Sequence, residues 1–409
     1  MRKSFDWVDL KYVDLHGGLH HLTLPYERFS LKEYYGIDGS SIPGFNDRTK
    51  SDLMIRADPG TEFIDPFFEK PTLSYLSVVY DPDGKRFDFD PRGVVMKIVQ
   101  LARRFGDFDI RPELEFYIFR RFGVEHWAGG YSVTLEADDH ATYHSSRPVD
   151  RYLPIRNEIT EVLKGLGIPV RFHHHENGPG QQEIELERRP LTRVCDEIII
   201  TRYVISNVCN RHGLSATFLA KPLPGQPGSG LHLHQVLKRG KRSLFGRKTI
   251  SKTGSFYLGG LLTHTPALGV FANPTTNSYR RLDLDFESPT EITTGFGDRT
   301  ALVRVPEYGN EITFEFRMGD GTANPYLLIP AMIAAGIDGV RNRIDPDRVE
   351  ALLLPRDINQ AIEYLYADYQ FLSGIIEYPL IERYTRLIKR IGAQVSKSPH
   401  PLEYEVYHD

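Results

Sequence analysis

The stretch Arg171–Glu187, RFHHHENGPGQQEIELE, constrains the fold more than any other part of the chain. A Gly-Pro-Gly turn separates three consecutive imidazoles from an alternating acidic run, and the whole stretch holds three histidines and four glutamates. In the second run Gln182, Ile184 and Leu186 point one way and Glu183, Glu185 and Glu187 the other, as a strand's period of two requires. Three carboxylates in a row on a buried sheet face repel one another and lose their hydration unless a cation or a basic partner offsets them. An open, solvated face is the commoner fate of an acidic strand. The neighbouring His-His-His-Glu shifts the balance toward a metal site.

At 409 residues the chain exceeds what a single core usually organises, so two domains, or a large domain with a smaller appendage, are expected. A composition that is 40% apolar and 11% aromatic is enough for an ordinary globular core. Basic and acidic residues nearly balance, 50 against 54, and no nucleic-acid partner is expected. The one basic run, KRGKRSLFGR at 238–247, reads as a solvated turn, with a phosphate-related role as the minority reading. Cys195 and Cys209 share one helical pattern; a spacing of fourteen residues separates them by about 21 Å, too far to pair, which suits a reducing compartment. The first residues lack the apolar core of a signal peptide and no run of eighteen apolar residues occurs, so a soluble, cytoplasmic protein without membrane contact is expected.

In chain order, FDWVDLKYVDL, His16-Gly17-Gly18 and LHHLTLPYERF read as a hairpin over residues 5–30. His16, His20 and His21 flank its turn with no acidic partner evident and are expected at the surface. Asp38-Gly39-Ser40-Ser41 is a turn in which the carboxylate and hydroxyls can bond local backbone. A strand over 72–80 and the turn Asp81-Pro82-Asp83-Gly84 precede a domain boundary near residue 85, giving domains 1–85 and 86–409. Asp90-Pro91-Arg92-Gly93 then opens an amphipathic helix.

Glu113 and Glu115 lie two apart in the strand DIRPELEFYIF and so share a face, an arrangement that by itself is equally at home on a surface. Helical patterns follow over 155–166 and 191–212. His232 and His234 share a face of the strand after PGQPGSG; an H-x-H strand can serve a metal or an anion, or be a solvated or core pair. Arg299 and Arg304 bracket a short strand, and Glu315 and Arg317 occupy one face of another. Arginines beside carboxylates suit phosphate or carboxylate ligands, which guanidinium binds bidentately. The remainder reads as helices to about residue 394 and a last strand in PLEYEVYHD.

Taken together, DGSS at 38–41, PELEF at 112–116, HHE with PGQQE at 174–183, KP followed by GSGLHLH at 221–234, NPTTNSYRRL at 273–282, FEFR at 314–317 and ANPY at 323–326 resemble the glutamine synthetase family. The match is collinear from about Val8 to PHPLEYEVY, nearly the whole chain. The resemblance implies an α+β protein: a small N-terminal β-grasp-like domain and a large catalytic domain with a curved antiparallel sheet flanked by helices. It also implies stacked rings of identical subunits that share active sites between neighbours. The implied metal ligands for two Mg2+ or Mn2+ ions are Glu115, Glu176 and Glu183 at one position and Glu113, His232 and Glu315 at the other, an oxygen-rich set that hard cations favour. The implied reaction uses ATP to phosphorylate glutamate, after which ammonia displaces phosphate. By position, Arg299 and Arg304 would stabilise the transferring phosphoryl group, His234 would contact nucleotide phosphates, and Arg281, Arg317 and Gly228 would hold the amino acid. Asp38, from an adjacent subunit, would bind and deprotonate ammonium, and Glu287 would close over the site. His173, His174 and His175 are expected to pack or support rather than ligate.

Departures from the family pattern are equally specific. Pro227 stands where an asparagine usually precedes GSG, and proline offers neither an amide side chain nor an N–H. Near the expected nucleoside position the chain has Arg171, Val236 and Thr313 in place of the commoner Glu, Ser and Arg. A short segment after the ANPY helix lacks the Asn-Leu-Tyr loop that some bacterial members modify by adenylylation, so no such control is expected.

Overall fold

The computed structural model describes residues 5–127, 130–137, 139–282 and 286–397. The predicted C-terminal strand at 401–409 lies outside the described residues.

The N-terminal region is a six-stranded sheet in the order Leu19–Pro25, Trp7–Val13, Thr72–Tyr80, Asp52–Ala57 and Tyr35–Asp38, with Phe63–Ile64 also paired to Thr72–Tyr80. The predicted hairpin forms with Trp7 opposite Pro25, while Trp7–Val13 and Thr72–Tyr80 run parallel. Val8, Leu10, Leu53, Ile55 and Val79 fill its core. The expectation that the hairpin histidines lack acidic partners is corrected: His20 Nε2 lies 2.8 Å from Asp14 and His21 Nδ1 lies 2.7 Å from Asp9. Those aspartates belong to the neighbouring strand and turn, and antiparallel pairing, invisible in linear spacing, brings them alongside.

Asp90 caps the helix Pro91–Ala102 by accepting from Arg92 N at 3.1 Å, and Pro91 sits where a missing N–H costs nothing. Its apolar stripe, Val94, Val95, Ile98, Val99 and Ala102, is buried in the main core.

The larger sheet runs Val170–His175, Gln181–Leu186, Asp107–Phe119, Leu231–Arg239, Phe314–Phe316, Val303–Val305 and Thr294–Phe296. Three short strands complete its ten, and every pairing but that of Thr294–Phe296 with Val303–Val305 is antiparallel. Leu114, Phe116, Ile118, Ile184, Leu231 and Leu233 form its buried apolar face. The helix Leu191–Arg211 packs there, containing both cysteines, buried and unpaired with each other. The helices Lys252–Ala272 and Pro325–Asn342 form the most extensive helical contact, held close by Gly260 against Gly339: a Cβ on either would fall under 3 Å from the other's backbone. No helix among the described residues is long and apolar enough to cross a membrane.

The strand Asp52–Ala57 and the helix Lys252–Ala272 had no forecast from the sequence, and neither did one hairpin. Arg121–Trp127 and Gly130–Glu136 form a separate two-stranded hairpin whose Phe122, Val124, Tyr131 and Val133 are exposed on one face.

Candidate active site

With the apolar residues of the large sheet committed to the core, alternation sends their neighbours to the opposite face. Register then decides which of them meet. Glu183 stands opposite Glu115, Glu185 opposite Glu113, His232 opposite Glu113, and Glu315 opposite both His234 and Arg304. Four strands thereby deliver carboxylates and imidazoles to one surface of the sheet.

The side chains converge into two trios, each with ligand atoms within 4.8 Å of one another: Glu113, His234 and Glu315, and His174, Glu176 and Glu183. His234 Nε2 is 2.6 Å from Glu113 and 3.7 Å from Glu315. His232 Nδ1 sits between them, 3.3 Å from Glu113, 3.7 Å from Glu115 and 3.9 Å from Glu315. His174 reaches Glu183 at 3.3 Å and Glu176 at 3.4 Å. Glu115 also accepts from the backbone N–H of Gly230 at 2.7 Å.

The two trios differ in charge state. Burial opposes ionisation of Glu113, but His234 and His232 outweigh it and hold that carboxyl well below its ordinary range. Burial likewise opposes ionisation of Glu315, yet His234 and Arg317 bring it down to about 2. Glu176 and Glu183 are pushed well above the ordinary range by burial and then by neighbouring carboxylates, Glu115 foremost for Glu176 and Glu113 for Glu183.

Arginines rim the acids. Arg304 and Arg317 donate to opposite oxygens of Glu315 at 2.7 and 2.6 Å. Arg317 also holds the carbonyl of Glu287 at 3.0 Å, and the exposed Glu287 carboxylate lies 3.9 Å from Arg299. Arg281 bonds the carbonyls of Met318 and Arg317 and approaches His232 Nε2 at 3.3 Å. The buried Nε of Arg281, Arg304 and Arg317 has no hydrogen-bond partner among the described residues.

The loop before the H-x-H strand is packed on this rim. A Cβ at Gly228 would lie 2.5 Å from the Arg281 side chain, and Tyr117 Oη and Gln181 Nε2 donate to the carbonyls of Pro227 and Gly228 at 2.6 and 3.0 Å. Asp38 is exposed, and among the described residues its carboxylate accepts only from the Ser40 N–H and the hydroxyls of Ser40 and Ser41, at 2.7–2.9 Å.

Sequence reasoning missed two participants. His174 was expected to support, yet it faces Glu176 and Glu183 directly; counting back two residues from Glu176 finds it. Tyr143 stacks on His144 at 4.0 Å and meets His174 edge-on at 5.2 Å, with the charges of Glu176, Glu183 and Arg299 acting on its hydroxyl. It lies in a loop with no spacing signal that could have singled it out. Glu185, unassigned from sequence, is buried between Arg111 and Arg171, the latter at 2.6 Å, whereas Glu187 is exposed beyond the strand.

Known proteins share this fold. A family model for the glutamine synthetase catalytic domain matches residues 88–407, and one for the glutamine synthetase beta-grasp domain matches residues 4–82. The chain is 33% identical to a glutamine synthetase of Aquifex aeolicus, covering 100% of this chain and 97% of that one. It is also 33% identical to a 3-hydroxylaminophenol mutase of Cupriavidus pinatubonensis over 98% of this chain and 96% of the other. Among solved structures, a GmaS–ADP complex superposes with a TM-score of 0.86 at 25% identity, covering 99% of this chain and 97% of that one. A Plasmodium falciparum glutamine synthetase has a TM-score of 0.91 at 21% identity over 99% and 96% of the two chains, a likeness of fold. From its sheet topology, its carboxylate-rich face and these matches over its full length, the chain belongs to the glutamine synthetase family and is a ligase.

Proposed function

We propose that the protein is an ATP-dependent ligase that joins glutamate and ammonia into glutamine through a γ-glutamyl phosphate. The observation that carries this reading is the convergence of Glu113, Glu115, Glu176, Glu183, His232 and Glu315 on one sheet face beneath four arginines. Five carboxylates with one imidazole fit hard divalent cations, and the buried Nε groups left unpaired on Arg281, Arg304 and Arg317 fit anionic substrates. Glu115, Glu176 and Glu183 would hold one Mg2+ or Mn2+ and Glu113, His232 and Glu315 the other; when bound, these ions neutralise phosphate charge.

Around them, each residue has a task its placement allows. Arg299 and Arg304 face the transferring phosphoryl group, and His234 the nucleotide phosphates. Arg281 and Arg317 clamp the amino-acid carboxylate, with Gly228 giving the substrate close access to backbone. Glu287, on an exposed loop anchored through its carbonyl by Arg317, covers the acyl phosphate against water. Asp38 is exposed on its turn, bonded to Ser40 and Ser41, and would serve the active site of a neighbouring subunit. The protein in this reading is a homo-oligomer of stacked rings, built from a domain of residues 1–85 and one of 86–409, working in the cytoplasm.

Position 227 favours a second reading, a ligase of the same mechanism that takes another amine or another acid. Pro227 supplies no side-chain amide, and its carbonyl is already engaged by Tyr117. With Mg2+, ATP and glutamate, the purified protein should release phosphate only on addition of ammonium. Release with an organic amine and not with ammonium would replace the first reading by the second.

A further inference from the structure

Beside the acidic face lies a cavity of about 400 Å³ whose walls include Arg111, Arg171, Arg188, Lys241 and Arg247, with Glu311 as their sole acid. Arg111 joins it to the acidic face: its guanidinium pairs with Glu185 and stands 4.0 Å from Glu113. Arg171 is aimed into the cavity by a bulge. The pairing of Val170–His175 with Gln181–Leu186 slips between Val170 and Phe172, so Arg171 is the extra residue and reaches Glu185, which alternation alone would deny it.

Charge in this cavity is unbalanced. Arg111 and Arg171 share the carboxylate of Glu185, with Glu113 4.0 Å from Arg111, and Glu311 serves Arg188 and, at 4.0 Å, Lys238. Lys241 and Arg247 have no ion pair among the described residues. Converging guanidinium and ammonium groups repel unless an anion offsets them, and guanidinium forks match phosphate oxygens. The hydroxyl of Ser243 and the side chains of Asn310 and Thr313 add neutral polar groups, and Tyr308 is the one aromatic wall on which a base could rest.

We propose that this cavity binds a phosphate group at the end of the phosphoryl donor remote from the carboxylates. ATP would serve the acidic face without filling this cavity, and a donor with a further phosphate would fill both: either a nucleotide with an added phosphate on its ribose or a linear inorganic polyphosphate longer than the triphosphate of ATP. The inference rests on the reading of the acidic face as a phosphoryl-transfer site.

Calorimetric titration of the full chain with Mg2+ tests it, using ATP, 3′-phosphorylated ATP and linear hexapolyphosphate as probes. A ligand carrying the additional phosphate should bind about ten- to a hundredfold more tightly than ATP, with the difference shrinking at high salt. In the exposed double variant Lys241→Glu/Arg247→Glu that preference should fall to about twofold or less. Preference for 3′-phosphorylated ATP identifies the nucleotide source, and preference for hexapolyphosphate the inorganic one. ATP binding with no gain from either probe overturns this inference and leaves the ligase reading standing. Absence of binding by all three overturns both.

Discussion

Glu115 and Glu183 are direct register partners on adjacent antiparallel strands, two carboxylates side by side on a buried face. Like charges so placed destabilise a sheet, and burial, reinforced by the carboxylates of Glu113 and Glu115, pushes the Glu183 carboxyl well above its ordinary range.

Glu183→Gln should therefore stabilise the protein in chelator and weaken its stabilisation by Mg2+. An acid whose folded pKa is raised disfavours folding once pH climbs above its ordinary value of about 4.5, so the gain should be small near pH 5 and reach about 1–3 kcal/mol at pH 8. Thermal melts with chelator and with Mg2+ at the two pH values measure it. A melting point lowered by the substitution at both would show that Glu183 makes a favourable bond the repulsion does not outweigh.

Much of this site was legible because alternation and motif act locally. Glu113 with Glu115, and His232 with His234, were assigned to shared faces by a period of two, and the sheet preserves both pairs. What linear spacing could not supply was register. The pairing of His20 with Asp14 and of His21 with Asp9 depends on how two strands align, as does the meeting of Glu185 with Arg111. The bulge at Arg171 is harder still, since one inserted residue reverses the face that alternation predicts. Tyr143 comes from an irregular loop, where no periodicity exists to read.

Gly228→Ala tests how closely the loop before the H-x-H strand must approach Arg281. The added methyl would meet Arg281 Cγ at 2.5 Å and the Ala220 carbonyl at 2.6 Å, so the guanidinium has to move. Loss of one bidentate contact to the acid substrate should raise its KM about ten- to a hundredfold while the KM for the phosphoryl donor changes little. Equal losses for both substrates would mean the loop collapses as a whole.

His264 should make stability depend on alkaline pH. Its ring lies 2.7 Å from Asp368 and 3.1 Å from Asp338 and stacks on Phe371. Burial disfavours the charged imidazole, but the two aspartates outweigh it and raise its pKa from 6.5 to about 9. The stabilisation is then complete below about pH 6.5 and disappears as pH rises through about 9. Discounted for the partial exposure of Asp368, it should be about 1–2 kcal/mol. Urea denaturation of the native protein and His264→Gln should differ by that amount at pH 6 and converge near pH 10; a constant gap would assign the effect to packing on Phe371.

Lys11 tests what joins the N-terminal sheet to the catalytic domain. It is 2% exposed, with its ammonium 2.5 Å from Asp9 and 3.1 Å from Asp65, over the ring of Tyr203 at 4.5 Å. Asp65 in turn accepts from Tyr203 Oη at 3.0 Å, and Tyr203 belongs to the long helix Leu191–Arg211. Lys11→Met keeps the side-chain volume but leaves two buried carboxylates without their shared cation, at a cost of about 3–5 kcal/mol. Adding Asp65→Asn should recover part of that loss, because the amide can still bond Tyr203 and Ser74 without a charge. If the second substitution deepens the loss instead, the Asp65 charge is stabilised by partners other than Lys11. Limited proteolysis supplies the structural readout: with the junction loosened, cleavage between the strand Thr72–Tyr80 and the helix Pro91–Ala102 should accelerate in Lys11→Met and slow again in the double variant.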